Sequence, residues 1–386
     1  MKDFDLIVVG SGVMGTFHAY HAARLGRRVL LVEKDAKPVQ ATVRNFGQVV
    51  PSGLGGRWFG YGRRSLEIYR SIQQEYDLTA RQNGSVYIAS DDEEWQLLNE
   101  LYDRRRAEDY PCELLSKAQA LAKYPVLQSD YVRGALFFPE ELSVEPDQLI
   151  YRLIRYLVEK YNVTYLTNAP VIDCHITAGG AGITLADKRT FQARKVLICN
   201  GSESRLLFPD VLLNSDLVVS KLQMMQTVPM PQVSLPGNIL TGLSIRRYES
   251  FTECPSYAQL STPDHYTELN KWGIHILFKQ ALDGSFIIGD SHEYAPAAQT
   301  EDLDFQIRDH INQLILTEAQ RIVQFPVNAI QKTWAGFYAQ TKGEILEHDV
   351  SDTIHIITGI GGKGMTSCAG YAEQSIRRLL PELHTV

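Results

Sequence analysis

The chain has no run of about 18 apolar residues, so no segment is expected to span a membrane. It has no basic excess either: 38 Lys and Arg stand against 45 Asp and Glu, a net charge of -7. General attraction to nucleic acid or to an anionic membrane is thereby excluded, and any anion site has to be built locally. Its five cysteines, Cys112, Cys174, Cys199, Cys254 and Cys368, are too scattered for a zinc site or a redox pair. Reduced thiols, a cytoplasmic location and no metal site are the expectations that follow. An apolar run begins within a few residues of Met1, and no signal peptide or cleavage site is read before it. No internal repeat or low-complexity tract occurs.

In bulk the sequence is ordinary. Hydrophobic residues at 44% and charged residues at 22% fit a globular protein, and 386 residues are enough for about two domains.

The first fifty residues carry the strongest pattern. Residues 5–9, DLIVV, suit a strand buried on both faces, and they run directly into Gly10-Ser11-Gly12-Val13-Met14-Gly15. A helix-compatible segment, 16–25, follows. The glycines serve a tight turn, close approach of bare backbone to a pyrophosphate, and helix–strand contact. The amides of Val13 and Met14 then face the phosphates at a helix start, where the dipole favours negative charge. A second apolar run ends at Glu33, 18 residues beyond Gly15, with Lys34 next to it. A carboxylate at that point accepts hydrogen bonds from a ribose. Strand, turn, helix, strand and acid in this order mark a dinucleotide site; a glycine turn without nucleotide is the plain alternative.

Spacing alone does not separate NAD from FAD. Near the C-terminus the apolar run 354–358 enters Gly359-Ile360-Gly361-Gly362-Lys363-Gly364-Met365-Thr366, followed by a helical pattern. This second glycine-rich junction offers backbone amides to another electron-rich oxygen. An NAD-dependent dehydrogenase has no use for it.

With GSGVMG, Glu33, KVLICNGSESRLLFP (195–209), TWAGFYAQTKGEIL (333–346) and the ITGIGGKGMT junction, nearly the whole chain resembles the D-amino acid oxidase superfamily of FAD enzymes. The resemblance implies an α/β, two-domain fold: a Rossmann-like FAD-binding domain with a parallel sheet, and a substrate domain with a mainly antiparallel sheet. It divides the chain into 1–78, 141–215 and 330–386 for the first, and 79–140 and 216–329 for the second. It implies flavin contacts from Arg44, Asn45, Phe46, Asn200, Gly201 and Gly336. It further implies contacts from Gly362, Lys363, Gly364, Met365 and Thr366, with the backbone of Val171 at the adenine. An exposed loop arginine is the plain alternative for Arg44, and a solvated helix-start lysine for Lys363. Covalent flavin attachment in such enzymes uses a cysteine near 337–341 or a histidine near 43–46. Neither is present, so non-covalent FAD is expected.

The implied activity is oxidation of a small primary or secondary amine, with molecular oxygen or another electron acceptor taking the electrons. No dedicated catalytic base is expected, since the flavin carries the chemistry. Amino acid-oxidising members hold the substrate carboxylate with an arginine shortly after the Trp-Gly-like segment, where this chain has Phe337-Tyr338. Aromatic rings replace a bidentate arginine poorly. The candidates for substrate binding are therefore Arg246, Arg247 and Tyr248 in LSIRRYESF, with Tyr338, Lys363, His275 and His292; core or surface placement is the alternative for the histidines. GDSHEY (289–294), RNFG and LSIRRYESF resemble a subgroup associated with aminophosphonate breakdown, and a phosphonate needs several donors. Aminoethylphosphonate or its N-methyl form is the expected substrate. A glycine, sarcosine or D-amino acid oxidase acting on a carboxylate, and a non-catalytic dinucleotide-binding protein, are the alternatives. The run Arg104-Arg105-Arg106 reads as a solvated helix face.

Overall fold

In the computed structural model, which describes residues 4–381, the run DLIVV becomes the strand Phe4–Val9 inside an eight-stranded sheet. It is paired in parallel with Val29–Val32 on one side and Thr190–Ile198 on the other. The far half of Thr190–Ile198 also pairs in parallel with Ile354–Thr358. The two glycine junctions therefore leave strands of one sheet that flank Thr190–Ile198 on either side. Leu6 and Val8 pack toward the helices Val13–Arg24, Gly56–Glu75, Pro146–Tyr161 and Gly364–Leu379. Ile7, Leu30 and Val32 pack on the opposite face against the hairpin Val171–Thr177 and Gly180–Leu185. This two-sided burial is why the strands read as unbroken apolar runs.

The second sheet has nine strands and is antiparallel except where Asn238–Leu240 pairs with Ser85–Ala89. Its middle strands are Val218–Thr227, Phe286–Gly289 and Leu277–Gln280. One face packs on the helix Asp309–Ile322, burying Ile288, Phe278, Ile311 and Ile315 in one cluster.

Two expectations need correction. The division at residue 330 falls too early, because Ile330–Gln340 lies in the second sheet, antiparallel to Val218–Thr227 along its length. The sheet with the cofactor-type junctions is rejoined at Leu346–Asp349. The arginine run is also not uniformly solvated. Arg105 is fully buried over the Phe59 ring, 3.7 Å from its centroid, and donates to the carbonyls of Ser52 and Leu54. Among the described residues no helix is long and apolar enough to cross a membrane.

His18, on the first helix, is fully buried and its Nδ1 donates to the Met14 carbonyl at 2.8 Å. Burial lowers its pKa to about 4, and that of neighbouring His21 to about 3. In the unfolded chain both titrate near 6.5, so the unfolded state binds more protons between the two values. Their contribution is fully present above pH 6.5 and is lost as the pH falls toward 4, by about 3 kcal/mol for His18. Denaturation midpoints measured from pH 7 to 4 should fall over this window, and His18→Gln should flatten the fall. A profile unchanged by the substitution would contradict the assignment.

Candidate active site

A cavity of about 700 Å³ runs along both glycine junctions and reaches the second sheet. At the first junction Gly10 has φ of 100°, and a Cβ there would collide with the Cys199 carbonyl. A Cβ at Gly15 would strike the carbonyl of Gly10. Strand and helix thus meet at backbone distance, and the start of the helix, Gly12 to Met14, lines the cavity. The amide of Val13 is already spent on Thr42 Oγ1 at 2.9 Å, a partner not foreseen from the sequence.

Glu33 stands at the tip of its strand, buried, with Ser11 donating to its Oε2 through both amide (3.1 Å) and hydroxyl (2.8 Å). Its Oε1 accepts from the Asp35 amide at 3.2 Å. Oε1, with this one donor, has a second lone pair left for a ribose hydroxyl. Lys34 and Val171 line the same end of the cavity, as do Asn200 and Gly201. Asn200 Oδ1 is buried and meets no donor among the described residues. A polar ligand at this wall removes that cost.

At the second junction Gly361 to Lys363 form one 3₁₀ turn leading into Gly364–Leu379, and Gly362, Gly364, Met365 and Thr366 line the cavity. Arg44, Asn45 and Phe46 lie opposite with Gly336. The side chains of the first two act on the protein itself. Arg44 donates to the carbonyls of Val39 (2.7 Å) and Ala335 (3.0 Å), stapling the loop to the strand Ile330–Gln340. Asn45 donates to Thr42 and accepts from Gly47. Bare amides at two helix starts, a ribose-type acid and an orphaned polar wall together fit FAD.

The remote end of the cavity is walled by Arg247, Tyr248, His275, Asp290, His292 and Tyr338. Arg247 spends one N–H on Gly273 O (3.0 Å) and one on the Tyr294 hydroxyl (2.8 Å), leaving donors of its five for a ligand. His292 Nδ1 donates to the same Gly273 carbonyl at 3.0 Å, so its Nε2 carries the lone pair. Burial lowers the pKa of His292 to about 3. Burial opposes ionisation of Asp290, yet His275, His292 and Arg247 hold its pKa at about 2. Burial, reinforced by Asp290, raises the phenols of Tyr248 and Tyr338 and keeps them protonated.

Two candidates are placed otherwise than expected. Arg246 does not reach this cavity: its guanidinium holds Asp91 at 2.7 Å and fully buried Glu94 at 2.6 Å. Three carboxylates in the turn before and start of helix Asp92–Ala107 draw it away from its neighbour Arg247. Lys363 lines the cavity but is paired with Glu249 at 2.7 Å and lies over Trp58. It joins the junction to the segment carrying Arg247 rather than standing free for an anion. Asp290 was missed by sequence reasoning; its place two residues before His292 was the available signal.

A dinucleotide cradle that shares one cavity with a polar wall fits a flavin-type oxidoreductase. The chain belongs to the FAD dependent oxidoreductase (DAO) family, whose model matches residues 5–377, and FAD is its cofactor. It is 25% identical over 381 residues to a glycerol 3-phosphate dehydrogenase of Caloramator mitchellensis, covering 94% of this chain and 71% of that one. It is 25% identical over 217 residues to an N-methyl-L-tryptophan oxidase of Yersinia pestis (strain Pestoides F), covering 54% of this chain and 56% of that one. The chain thus matches little more than half the length of that oxidase. Glycine oxidase from Geobacillus kaustophilus shares the fold, with a TM-score of 0.78, 18% identity, and coverage of 99% of this chain and 96% of that one.

Two outcomes follow. Acid precipitation should release the yellow colour into the supernatant, whereas colour held in the pellet would mean a covalent link. Arg246→Met strands buried Glu94 without its cation and should cost about 3–5 kcal/mol in denaturant unfolding while leaving KM unchanged. A raised KM at unchanged stability would put Arg246 back at the substrate.

Proposed function

We propose that this enzyme oxidises a small amine carrying an anionic head group, with a phosphonate such as aminoethylphosphonate or its N-methyl form as the best fit. The observation that carries the reading is Arg247, a guanidinium with uncommitted donors on the cavity wall, where no arginine follows the Trp-Gly-like segment. The protonated phenols of Tyr248 and Tyr338 beside it add neutral donors. A phosphonate has three acceptor oxygens and uses such a set more fully than a carboxylate does. The relative named as a glycerol 3-phosphate dehydrogenase shows that the family includes a protein named for a phosphate-bearing substrate, and the N-methyl-L-tryptophan oxidase one named for an N-methylated amine.

Bound FAD supplies the acceptor for a hydride equivalent from the carbon next to nitrogen. The residues of the chain orient the amine. Arg247 would fix the head group, and the spacing between it and the junction at 361–366 would then set which carbon is presented for oxidation. The imine product hydrolyses to a carbonyl compound and ammonia or a short amine. Lys279, on the strand beside Phe286–Gly289, is turned away and bonded to Val144 O and Glu145, so it does not serve at the cavity.

Steady-state assays on aminoethylphosphonate, N-methylaminoethylphosphonate, sarcosine and glycine test the reading. The phosphonates should give the higher kcat/KM, and Arg247→Met should raise their KM about 10–100-fold with a smaller change in kcat. Preference for the carboxylates, or a KM indifferent to the substitution, would overturn it.

A further inference from the structure

His275, Asp290 and His292 wall the cavity beside Arg247 and are more than an anion grip requires. All three are buried, and their ligand-type atoms lie within 4.8 Å of one another. The fold brings them together: Asp290 and His292 lie just past the strand Phe286–Gly289, and the amide of His275 donates to Asp290 O at 3.0 Å. Each imidazole has its other nitrogen set against an oxygen. His292 Nδ1 donates to Gly273 O, and His275 Nδ1 lies 3.3 Å from Ser244 Oγ. This is the outer-shell support that metal-bound imidazoles receive. Asp290 is 6% exposed, and its Oδ1 meets no well-aligned hydrogen-bond donor among the described residues. His275 Nε2 stands 2.6 Å from that oxygen but off the line of a hydrogen bond. A buried carboxylate oxygen left in that state calls for a cation.

We propose that His275, Asp290 and His292 form a site for one divalent first-row metal ion, with Zn²⁺ the ion that the donors fit, open toward the substrate cavity. Two imidazoles and one carboxylate with a free fourth position make a zinc site of the open kind. Donors about 2.1 Å from a tetrahedral ion stand about 3.4 Å apart, within the 2.6 to 4.8 Å that the cluster spans. The fourth ligand is an oxygen of the substrate's head group, shared with Arg247, which meets His292 at the common Gly273 carbonyl. An oxyanion there balances both cations; this last step rests on the anionic-amine reading above.

The test is equilibrium dialysis of the FAD-loaded enzyme against Zn²⁺ alone after chelator treatment. About one ion per chain should bind tightly, and Asp290→Asn and His292→Gln should each weaken it at least about 10-fold. His175→Gln, at the exposed pair with Asp173, should leave it unchanged. Retention of flavin colour checks that each variant is folded, and if Asp290→Asn loses it, His292→Gln decides. Absence of a bound ion, or binding indifferent to Asp290 and His292, overturns the site. Because no amine is present, that failure would leave the anionic-amine reading standing, and failure of the amine assays would leave the ion standing.

Discussion

The approach of two helix starts to one cavity is the constraint on which the rest of the structure depends. Val13–Arg24 and Gly364–Leu379 follow strands that both flank Thr190–Ile198, and a Cβ at Gly364 would come into ordinary contact with the Val13 side chain. At the first junction Gly10 and Gly15 leave no Cβ to strike the carbonyls of Cys199 and Gly10. Two helix starts thereby line one cavity, where their dipoles favour negative charge.

The second sheet gains its function by being tied to that cradle at fixed points. Arg44 binds the loop after Glu33 to the strand Ile330–Gln340, and the Lys363–Glu249 pair binds the second junction to the segment carrying Arg247. Arg105, buried under the loop at Ser52 and Leu54, supports the floor between them. The spacing between the second junction and Arg247 is consequently held by charged side chains working within the protein. Such ties hold orientation at a reacting centre.

What the sequence revealed follows from the range of the interactions. Gly10, Gly15 and Glu33 belong to a local strand–turn–helix–strand unit, and their roles are legible because the unit is continuous in the chain. Arg246 and Arg247 are adjacent, and only the helix start at Asp91 to Glu94, over 150 residues earlier in the chain, decides that one is structural and the other faces the cavity. The division at 330 failed for the same reason, since cross-strand pairing with Val218–Thr227 is invisible in a linear pattern. Asp290 acquires its surroundings through the backbone pairing with His275, again a tertiary fact.

The central claim is that flavin and an anionic amine meet in this one cavity, and anaerobic mixing tests it most directly. Adding N-methylaminoethylphosphonate to the oxidised enzyme without oxygen should bleach the flavin absorbance in a saturable way, with half-saturation shifted upward in Arg247→Met. A protein that is colourless, or whose flavin stays oxidised with this amine and with aminoethylphosphonate, would contradict the account.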